Sequence, residues 1–492
     1  MADGAERSTA DAVVVGSGAG GAPVAALLAE SGRRVVIVEA GPRLEREDFT
    51  GDEGEMTARL WKVAATADAG MSLYAGACVG GSTVINDALC FRPAPEVLEE
   101  WRTAHGLGEL TDAAWAPFVE QAWTGLHAEP TGRDHLNRNA RLLALGARRL
   151  GWSASATPRS VRDCVNLGLC NYGCPSNAKQ STLVTYVPRA ERAGAHVLAG
   201  ARADRVRIEG GAVRGVDVVH RDGARVTIDA PLVCVGAGVL DTPGLLLRSG
   251  VAGRAGQGLQ FHSSVHVTAR FEDPVHGYYG PTMAYAVDEL SDVHGHRGPG
   301  AMIESVTVHP IVTASALPGF GAEHADVMAA LPNLARALVV IHDRTRGRMT
   351  ADGAVDYVLE PADVERLRAG MIGAASCYLN AGAVEVVLPI HGVAPIRREA
   401  ELRTLMTMRL RPSDLAILYA VHLFGGAAMG GSPETGTCDA RGAVYGVRGL
   451  HVVDAASLPS ATGVNPQVTI VANALRIADA IVRAGTSAGT PS

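Results

Sequence analysis

DAVVVGSGAGGAPVAALLAESGRRVVIVEAG, residues 11–41, predicts a strand, a helix and a second strand in immediate succession. Ala12–Val15 is an apolar run with β-branched residues, which is typical of a buried strand. An Ala/Leu-rich helix is expected over residues 22–31, with Gly32 available to end it. Residues 34–38 form the second strand. A βαβ unit of this kind indicates a Rossmann-like α/β domain.

The turn between the first strand and the helix carries Gly16, Gly18 and Gly21 at G-x-G-x-x-G spacing. In such a turn the glycines allow a tight bend, a close approach to a pyrophosphate and close helix–strand packing. The N-terminus of the helix offers unpaired N–H groups to the phosphates. Glu39 ends the second strand, where an acidic residue binds a ribose hydroxyl. The pattern predicts a dinucleotide site and leaves NAD and FAD both open.

Composition restricts the class of protein. The chain has 492 residues, of which 47% are apolar and 19% charged, and its net charge is −7. These values fit a globular protein with a large core and disfavour nucleic acid as a partner. The first residues lack the pattern of a signal peptide, and no apolar run is long enough to span a bilayer. We therefore expect a cytoplasmic protein.

Three of the eight cysteines, Cys164, Cys170 and Cys174, lie close together in DCVNLGLCNYGC. A zinc or iron–sulfur site usually needs four ligands, and no neighbouring histidine supplies the fourth. The sequence favours structural thiols or a local disulfide at these positions and predicts no metal site.

The sequence pattern changes several times along the chain and predicts a discontinuous nucleotide-binding domain. Residues 1–95 and 161–255 contain short strands followed by Gly-rich turns, and residues 421–492 have the same pattern. Residues 96–160 have helical spacing and form an expected helical insertion. Residues 256–420 alternate strands with later helices and are assigned to a substrate-binding domain. The fold class is therefore α/β, with a Rossmann-like part and an α+β part that holds a mixed sheet.

Four motifs in order make the chain resemble the glucose–methanol–choline (GMC) family of FAD-dependent alcohol oxidoreductases. They are GSGAGG with Glu39, GACVGGSTVIN (residues 76–86), GAGVLDTPGLLLRSGV (residues 236–251), and the terminal His422…Asp454…Asn465-Pro466 block. The resemblance extends from residue 11 to about residue 482. It implies FAD as the cofactor and the oxidation of a CH–OH group as the reaction.

The resemblance also implies which residues bind FAD. Asn86 is expected near the flavin ring and Asp454 near the ribityl–pyrophosphate region, although Asp454 could instead be a turn residue at a strand end. The expected cofactor-binding residues are Gly16, Gly18, Gly21, Glu39, Gly80, Gly81, Ser82, Thr83, Asn86, Gly236, Ala237, Asp454, Pro466, Gln467 and Val468.

His422 and Asn465 match the catalytic pair of the family. Hydride leaves a carbinol carbon as its hydroxyl loses a proton, so a base must lie at that oxygen, and His422 is expected to take the proton. Asn465 is expected to donate a hydrogen bond to the developing alkoxide. It also precedes Pro466, so capping a helix is its alternative role.

Some members of the family attach FAD through a histidine just before the equivalent of Asn86. Ile85 stands at that position, so non-covalent FAD is expected. Two other readings stay open at this point: an NAD-dependent dehydrogenase, and a lyase that keeps FAD without using it as an electron carrier. Oxygen and another electron acceptor are both compatible with the sequence.

The substrate is the least constrained part of the prediction. Residues 271–330 contain one basic residue, Arg297, and eight acidic residues: Glu272, Asp273, Asp288, Glu289, Asp292, Glu304, Glu323 and Asp326. A cleft lined by one sign of charge concentrates ligands of the opposite sign. An amino sugar, an aminoglycoside or another polyol is the predicted substrate. Solvated surface carboxylates are the alternative explanation, and a long-chain alcohol or sterol is the alternative substrate.

Overall fold

The computed structural model describes residues 6–487. Its strands are β1 (Glu6–Thr9), β2 (Ala12–Val15), β3 (Val35–Glu39), β4 (Trp61–Ala65), β5 (Ser72–Gly76), β6 (Ala128–Pro130), β7 (Ala154–Ala156), β8 (Pro158–Ser160), β9 (His196–Ala199), β10 (Ala201–Glu209), β11 (Ala212–His220), β12 (Arg225–Asp229), β13 (Val233–Val235), β14 (Gln257–Arg270), β15 (Tyr285–Val287), β16 (Ala301–Ser305), β17 (Leu334–Ile341), β18 (Gly347–Met349), β19 (Val355–Asp356), β20 (Glu385–Val387), β21 (Tyr419–Phe424) and β22 (Leu450–Val452).

The helices pack around and between these strands. They are α1 (Gly21–Glu30), α2 (Glu53–Leu60), α3 (Pro95–Thr103), α4 (Asp112–Gly125), α5 (Arg138–Leu150), α6 (Tyr186–Arg192), α7 (Thr242–Arg248), α8 (Pro310–Ala316), α9 (Gly321–Ala329), α10 (Pro361–Ala381), α11 (Arg403–Thr407) and α12 (Gln467–Ser487). Within residues 6–487, none of these helices has the length and apolar character needed to cross a bilayer.

A parallel sheet in the order β22-β13-β2-β3-β9 forms the nucleotide-binding part. Its strands come from three distant segments of the chain, and Cys234 of β13 pairs with both Val14 and His451. Every residue of β2 and β13 is buried, because α1 packs on these strands and β10 and β11 pack against β3 and β13. Strands buried on both faces read as continuous apolar runs, as these do. The expected α/β, discontinuous fold is confirmed.

A separate antiparallel region follows β9. β10, β11 and β12 pair in sequence, and β1 adds to β12 in parallel. The turn between β11 and β12 contains the Asp222-Gly223 pair, and Gly223 has a φ of +87°. A hairpin of this type suits a residue pair that tolerates a left-handed backbone.

A larger mixed sheet forms the second part, in the order β4-β5-β21-β14-β17-β16-β15-β7. The long strand β14 pairs with β17 and β21 and also, near its ends, with β18 and β20. The helix α10 packs against β14, β16 and β17, and α5 packs against α10. Residues of β16 and β17 are buried throughout, so this sheet has little contact with solvent at its centre.

Strand pairing joins segments that the sequence assigns to different parts of the chain. β4 and β5, within residues 1–95, join the mixed sheet, and β21 also joins it although residues 421–492 were assigned to the nucleotide-binding part. The cause is strand pairing between segments far apart in sequence, which composition does not reveal. As a result β21 belongs to the mixed sheet, whereas α12 packs against α1, which covers the parallel sheet.

Candidate functional site

The glycines of the first turn have three distinct geometries. Gly16 has a φ of +92° and begins the turn. A Cβ added to Gly21 would lie 1.9 Å from the carbonyl oxygen of Gly16, so α1 packs directly on the strand end. A Cβ on Gly18 would meet its nearest atom only at 3.8 Å, in Gly81. These are the tight turn, the close packing and the open approach that a pyrophosphate requires.

Glu39 is buried at the end of β3 and is held in place by neighbouring donors. Its Oε2 accepts the backbone N–H of Ser17 at 3.0 Å and the Ser17 hydroxyl at 2.7 Å, and its Oε1 accepts the N–H of Gly41 at 2.8 Å. Burial raises the pKa of Glu39, and these hydrogen bonds oppose the rise. A carboxylate has about four acceptor sites, so capacity for a ribose hydroxyl remains.

The second Gly-rich segment lies directly against the first. The backbone N–H of Gly80 donates to the Ser17 hydroxyl at 2.9 Å, and a Cβ on Gly81 would lie 3.0 Å from Cα of Gly18. Ser82 accepts the N–H of Gly76 at 2.9 Å, and the Thr83 hydroxyl donates to the Gly80 carbonyl at 2.6 Å. The two predicted loops are therefore brought together.

Asp454 joins the third motif to the end of β22. Its Oδ2 accepts the N–H of Gly238 at 2.6 Å and the Thr242 hydroxyl at 2.7 Å, and its Oδ1 accepts the N–H of Ala456 at 2.9 Å. A Cβ on Gly20 would lie 2.9 Å from the Asp454 side chain. Asp454 thus has a structural role at a strand end and also borders the first Gly-rich turn.

The remaining cofactor candidates lie at β13 and at the start of α12. The N–H of Gly236 donates to the carbonyl of Val15 at 2.7 Å, and that of Ala237 to the Thr242 hydroxyl at 3.1 Å. The Asn86 amide donates to the side-chain oxygen of Gln467. The carbonyl of Pro466 accepts the N–H of Ile470 at 2.9 Å, and Val468 is fully buried.

These loops fit FAD. They combine an open glycine backbone with a buried carboxylate that keeps acceptor capacity. The helix N-terminus of α1 follows directly. Such a set of donors and open backbone suits a pyrophosphate and a ribose.

His422 lies on β21 opposite His262 of β14. The pairing of the two strands shifts between Phe261 and Ser263, so that Val421 and His422 together oppose His262. A β-bulge of this kind redirects a side chain. Here the Nδ1 atoms of His262 and His422 lie 3.1 Å apart.

Asn465 connects His422 to a buried carboxyl group. Its side-chain amide nitrogen is 3.5 Å from Nε2 of His422 and 3.5 Å from Oε2 of Glu304. The other oxygen of Glu304 is buried and, within residues 6–487, has no hydrogen-bond partner. The structure therefore brings the two predicted residues together and adds Glu304 and His262 to them.

Burial controls the charges of this cluster. It lowers the pKa of His422 to about 4 and that of His262 well below its usual value, with the neighbouring histidines adding to the second shift. It raises the pKa of Glu304 to about 8. At neutral pH both imidazoles are uncharged and the carboxyl group of Glu304 is mostly protonated.

Sequence reasoning counted Glu304 only as one of eight acidic residues and did not single out His262. A usable signal existed for Glu304, because it is the only charged residue in the apolar strand Ala301–Ser305. An acidic residue is rarely fully buried unless it has a partner, so its place in this strand marks it for attention. For His262 no local signal existed, since its importance depends on the bulge in a distant strand.

The other seven carboxylates of residues 271–330 lie elsewhere. Glu272, Asp273, Glu323 and Asp326 are exposed, and Asp288, Glu289 and Asp292 are half-buried. Asp292 contacts His342 at 2.9 Å and Arg344 at 2.9 Å. The expected row of carboxylates along a substrate cleft is therefore reduced to Glu304, because the remainder face solvent or have local partners.

The cysteine cluster carries free thiols. Cys170 accepts a hydrogen bond from Arg159 at 3.1 Å, and Cys174 accepts the backbone N–H of Lys179 at 3.4 Å. All eight cysteines lie in the described part of the chain, and each is free. Across residues 6–487, no group of three or more His, Cys, Asp or Glu side chains is arranged to hold a metal ion.

Comparison with models of known families finds one family, matched by two models. Two family models, each described as GMC oxidoreductase, match residues 10–264 and residues 343–474. An uncharacterised GMC-type oxidoreductase of Mycobacterium tuberculosis is 36% identical over 98% of this chain and 77% of its own length.

Relatives with named activities are more distant. A long-chain-alcohol oxidase of Arabidopsis thaliana is 28% identical over 98% of this chain and 68% of its own length. The 6'''-hydroxyparomomycin C oxidase of Streptomyces lividus is 26% identical over 97% of this chain and 93% of its own length.

Among solved structures, pyridoxine 4-oxidase from Mesorbium loti superposes with a TM-score of 0.72 at 21% identity. The match covers 96% of this chain and 98% of the oxidase. At this identity the likeness concerns the fold.

Proposed function

The chain belongs to the GMC oxidoreductase family of FAD-dependent alcohol oxidases and dehydrogenases, and from this premise we propose that it oxidises a hydroxyl group at the His422–Asn465–Glu304 cluster. The product is an aldehyde or a ketone. One observation carries the proposal: the amide nitrogen of Asn465 lies 3.5 Å from His422 and 3.5 Å from Glu304, so the three side chains form one buried cluster.

The Gly-rich loops would hold the cofactor. Gly18 leaves room for the pyrophosphate, and Glu39 has acceptor capacity for a ribose hydroxyl. The side chain of Asn86 is hydrogen-bonded to that of Gln467, the first residue of α12. Both side chains would contact the flavin ring of the cofactor. When bound there, FAD accepts the hydride that leaves the carbinol carbon.

Side chains of the cluster would remove the proton from the substrate hydroxyl group. A hydroxyl oxygen at the cluster would lie within reach of Nε2 of His422 and of the Asn465 amide. Two groups at the cluster can take up or release a proton. One is the imidazole of His422, which the sequence predicts as the base, and the other is the carboxyl group of Glu304. The buried amide stabilises the developing alkoxide without ionising, and burial strengthens that interaction.

Anaerobic mixing with a panel of alcohols tests the reaction class. A substrate should bleach the yellow flavin absorbance and leave a carbonyl product, and admitting air should restore the colour if oxygen is the acceptor. The oxidase names of the relatives support oxygen in that role. A flavin that stays yellow while product accumulates would instead indicate a lyase.

We further propose that FAD is bound non-covalently, since Ile85 has no nucleophilic atom. Ile85 is buried in an apolar cluster with Val84, Leu44 and Tyr172. Acid precipitation should give a colourless pellet and a yellow supernatant. A yellow pellet would show that another side chain is linked to the cofactor.

For the substrate we propose a polyhydroxylated compound such as an amino sugar or aminoglycoside. The relative named 6'''-hydroxyparomomycin C oxidase supports this, as does the low aromatic content of 4%. The acidic residues within 271–330 give weaker support for a cationic substrate than the sequence suggested. Of these eight residues, Glu304 is the one that lies beside Asn465.

A long-chain alcohol is the second candidate, and one observation favours it. Apolar side chains pack near the strand of Glu304, among them Met283, Val306, Leu338 and Val340. Initial rates with an amino sugar, a neutral polyol and a fatty alcohol at two salt concentrations separate the candidates. A preference for the amino sugar that weakens with salt supports the first, because salt screens charge attraction. A fatty alcohol preferred at both concentrations supports the second.

A further inference from the structure

The loop of residues 459–465, which carries Asn465, contains neither helix nor strand and is held by side chains of other segments. Its hydrogen bonds to these side chains join the carbonyl of Pro459 to Arg346, the Ser460 hydroxyl to Trp101, the N–H of Ala461 to Gln260, the carbonyl of Ala461 to His342, and the N–H of Gly463 to His262. The position of Asn465 therefore depends on residues that are remote from it in sequence.

His342, which directly follows β17, is 3% exposed and faces an acceptor at each ring nitrogen. Its Nδ1 lies 2.9 Å from Oδ1 of Asp292, and its Nε2 lies 3.1 Å from the carbonyl oxygen of Ala461. A carbonyl oxygen and an ionised carboxylate can only accept hydrogen bonds, so both nitrogens of His342 must donate. Only the imidazolium form has an N–H on each nitrogen, so His342 is a buried cation.

Asp292 is the counter-charge of this cation. Its second oxygen, Oδ2, accepts a hydrogen bond from Nη2 of Arg344 at 2.9 Å. Burial opposes ionisation of Asp292, but the hydrogen bond and charge of His342, together with Arg344, hold the pKa of this carboxyl below its usual range. A carboxylate with these two partners offsets the cost of burying a charged imidazole.

His342 also packs against the middle of the loop. Gly463 has a φ of +67°, and a Cβ there would lie 3.1 Å from Nδ1 of His342. A neutral His342 would set a nitrogen lone pair against an oxygen lone pair of either Asp292 or Ala461. Because Ala461 is four residues before Asn465, a shift of its carbonyl would move the amide of Asn465 as well.

We propose that His342 is a positioning residue: as an imidazolium held by Asp292, it fixes the carbonyl of Ala461 and thereby sets the Asn465 amide toward the substrate oxygen. The inference rests on the proposed function, because His342 acts through Asn465. It adds the charge of His342 and the dependence of Asn465 on that charge. Since the amide acts on the developing alkoxide, loss of His342 should lower the limiting rate of flavin reduction more than the affinity for substrate.

Nitrogen-15 spectra of histidine-labelled holoenzyme measure the charge of His342 without turnover. At neutral pH both ring nitrogens of His342 should carry a proton, and the loss of these signals in His342→Leu assigns them. Asp292→Ala removes the counter-charge, so His342 should become neutral with one bare nitrogen. A bare nitrogen on His342 in the wild type would overturn the proposal.

Two substitutions of His342 separate its charge from its volume. His342→Leu removes both donors, whereas His342→Lys keeps a cation with three donors. The limiting rate of flavin reduction should fall about tenfold in His342→Leu, the effect of losing one hydrogen bond, and should recover in His342→Lys, with the FAD content of the wild type in both. A wild-type rate in His342→Leu, or the same loss in both variants, would contradict a cationic positioning role.

The Asn465→Ala background tests whether His342 acts through Asn465. Once the amide is gone, adding His342→Leu should slow flavin reduction no further, because the two changes remove the same interaction. A further tenfold loss in the double variant would overturn the proposal. If His342→Leu does not fold, Asp292→Ala replaces it in the cycle.

The side-chain amide signals of Asn465 give a second readout that needs no substrate. They should shift or broaden in His342→Leu and return to their wild-type positions in His342→Lys. Unchanged amide signals in a folded His342→Leu holoenzyme would overturn the link between the two residues. If no alcohol reduces the wild-type flavin, the proposed function fails, whereas the nitrogen-15 spectra still decide the charge of His342 and its effect on Asn465.

Discussion

The nucleotide loops and the catalytic cluster are built in different ways. In the loops, Gly16, Gly18, Gly21 and Glu39 lie within one βαβ unit and act largely through backbone geometry. In the cluster, each side chain comes from a different part of the chain, and its protonation depends on burial. Backbone requirements within one unit leave a spaced motif in the sequence, whereas residues that strand pairing brings together, such as His262 and Glu304, have no spacing in the sequence that connects them.

The comparison predicts that the two regions can be damaged independently, and His422→Ala should show this with the largest effect. We expect the variant to fold and to bind FAD while flavin reduction slows by roughly 10²–10⁴, the usual value of a positioned proton-transfer or donor group. Anaerobic stopped-flow spectroscopy and flavin content measure the two properties. Reduction at the wild-type rate would remove His422 from the site.

Gly18→Ala should produce the converse result. Its Cβ would project into the open approach above the turn, so FAD affinity should fall about tenfold to a hundredfold while each bound flavin is reduced at the normal rate. The matched control is Gly108→Ala, since a Cβ on Gly108 meets nothing within 4 Å. Equal FAD affinity in both variants would contradict the assignment of Gly18 to the pyrophosphate.

Asn465→Ala should have a smaller effect on the cluster. The Asn465 amide supplies one neutral hydrogen bond, so we expect flavin reduction to slow about tenfold and FAD content to stay unchanged. Loss of FAD with an unchanged reduction rate would instead assign Asn465 to helix capping and cofactor binding.

Glu304→Gln should have the smallest effect in a measurement of stability. The pKa of Glu304 is raised in the folded protein to about 8, so the native state binds more protons than the unfolded state between the two pKa values. Stability is then lost as pH rises through that window. The variant lacks this loss and should gain most in melting temperature, relative to the wild type, at alkaline pH. An equal difference at mildly acidic and alkaline pH would contradict the raised pKa.

Much of the nucleotide-binding part could be predicted because its signals are local. The first strand was predicted at Ala12–Val15, and α1 and β3 differ from expectation by one residue at their ends. These segments have regular apolar spacing and clear Pro or Gly boundaries.

The cluster could be predicted only in part. His422 and Asn465 were named through the family resemblance, because they lie in a motif, and the structure brings them to 3.5 Å. His262 needed the bulge that sets Val421 and His422 opposite it, which depends on two strands about 160 residues apart. Which of the eight carboxylates lies at the cluster likewise could not be predicted, because it depends on tertiary contacts such as the ion pair between Asp292 and Arg344.

Anaerobic reduction of the bound flavin by alcohols, followed in wild type and His422→Ala side by side, tests the central claim most directly. The account predicts that at least one alcohol bleaches the wild-type flavin and yields one carbonyl product per flavin. It predicts that the same alcohol bleaches the fully FAD-loaded variant at least a hundredfold more slowly. A flavin that no alcohol reduces, or equal reduction rates in the two proteins, would contradict it.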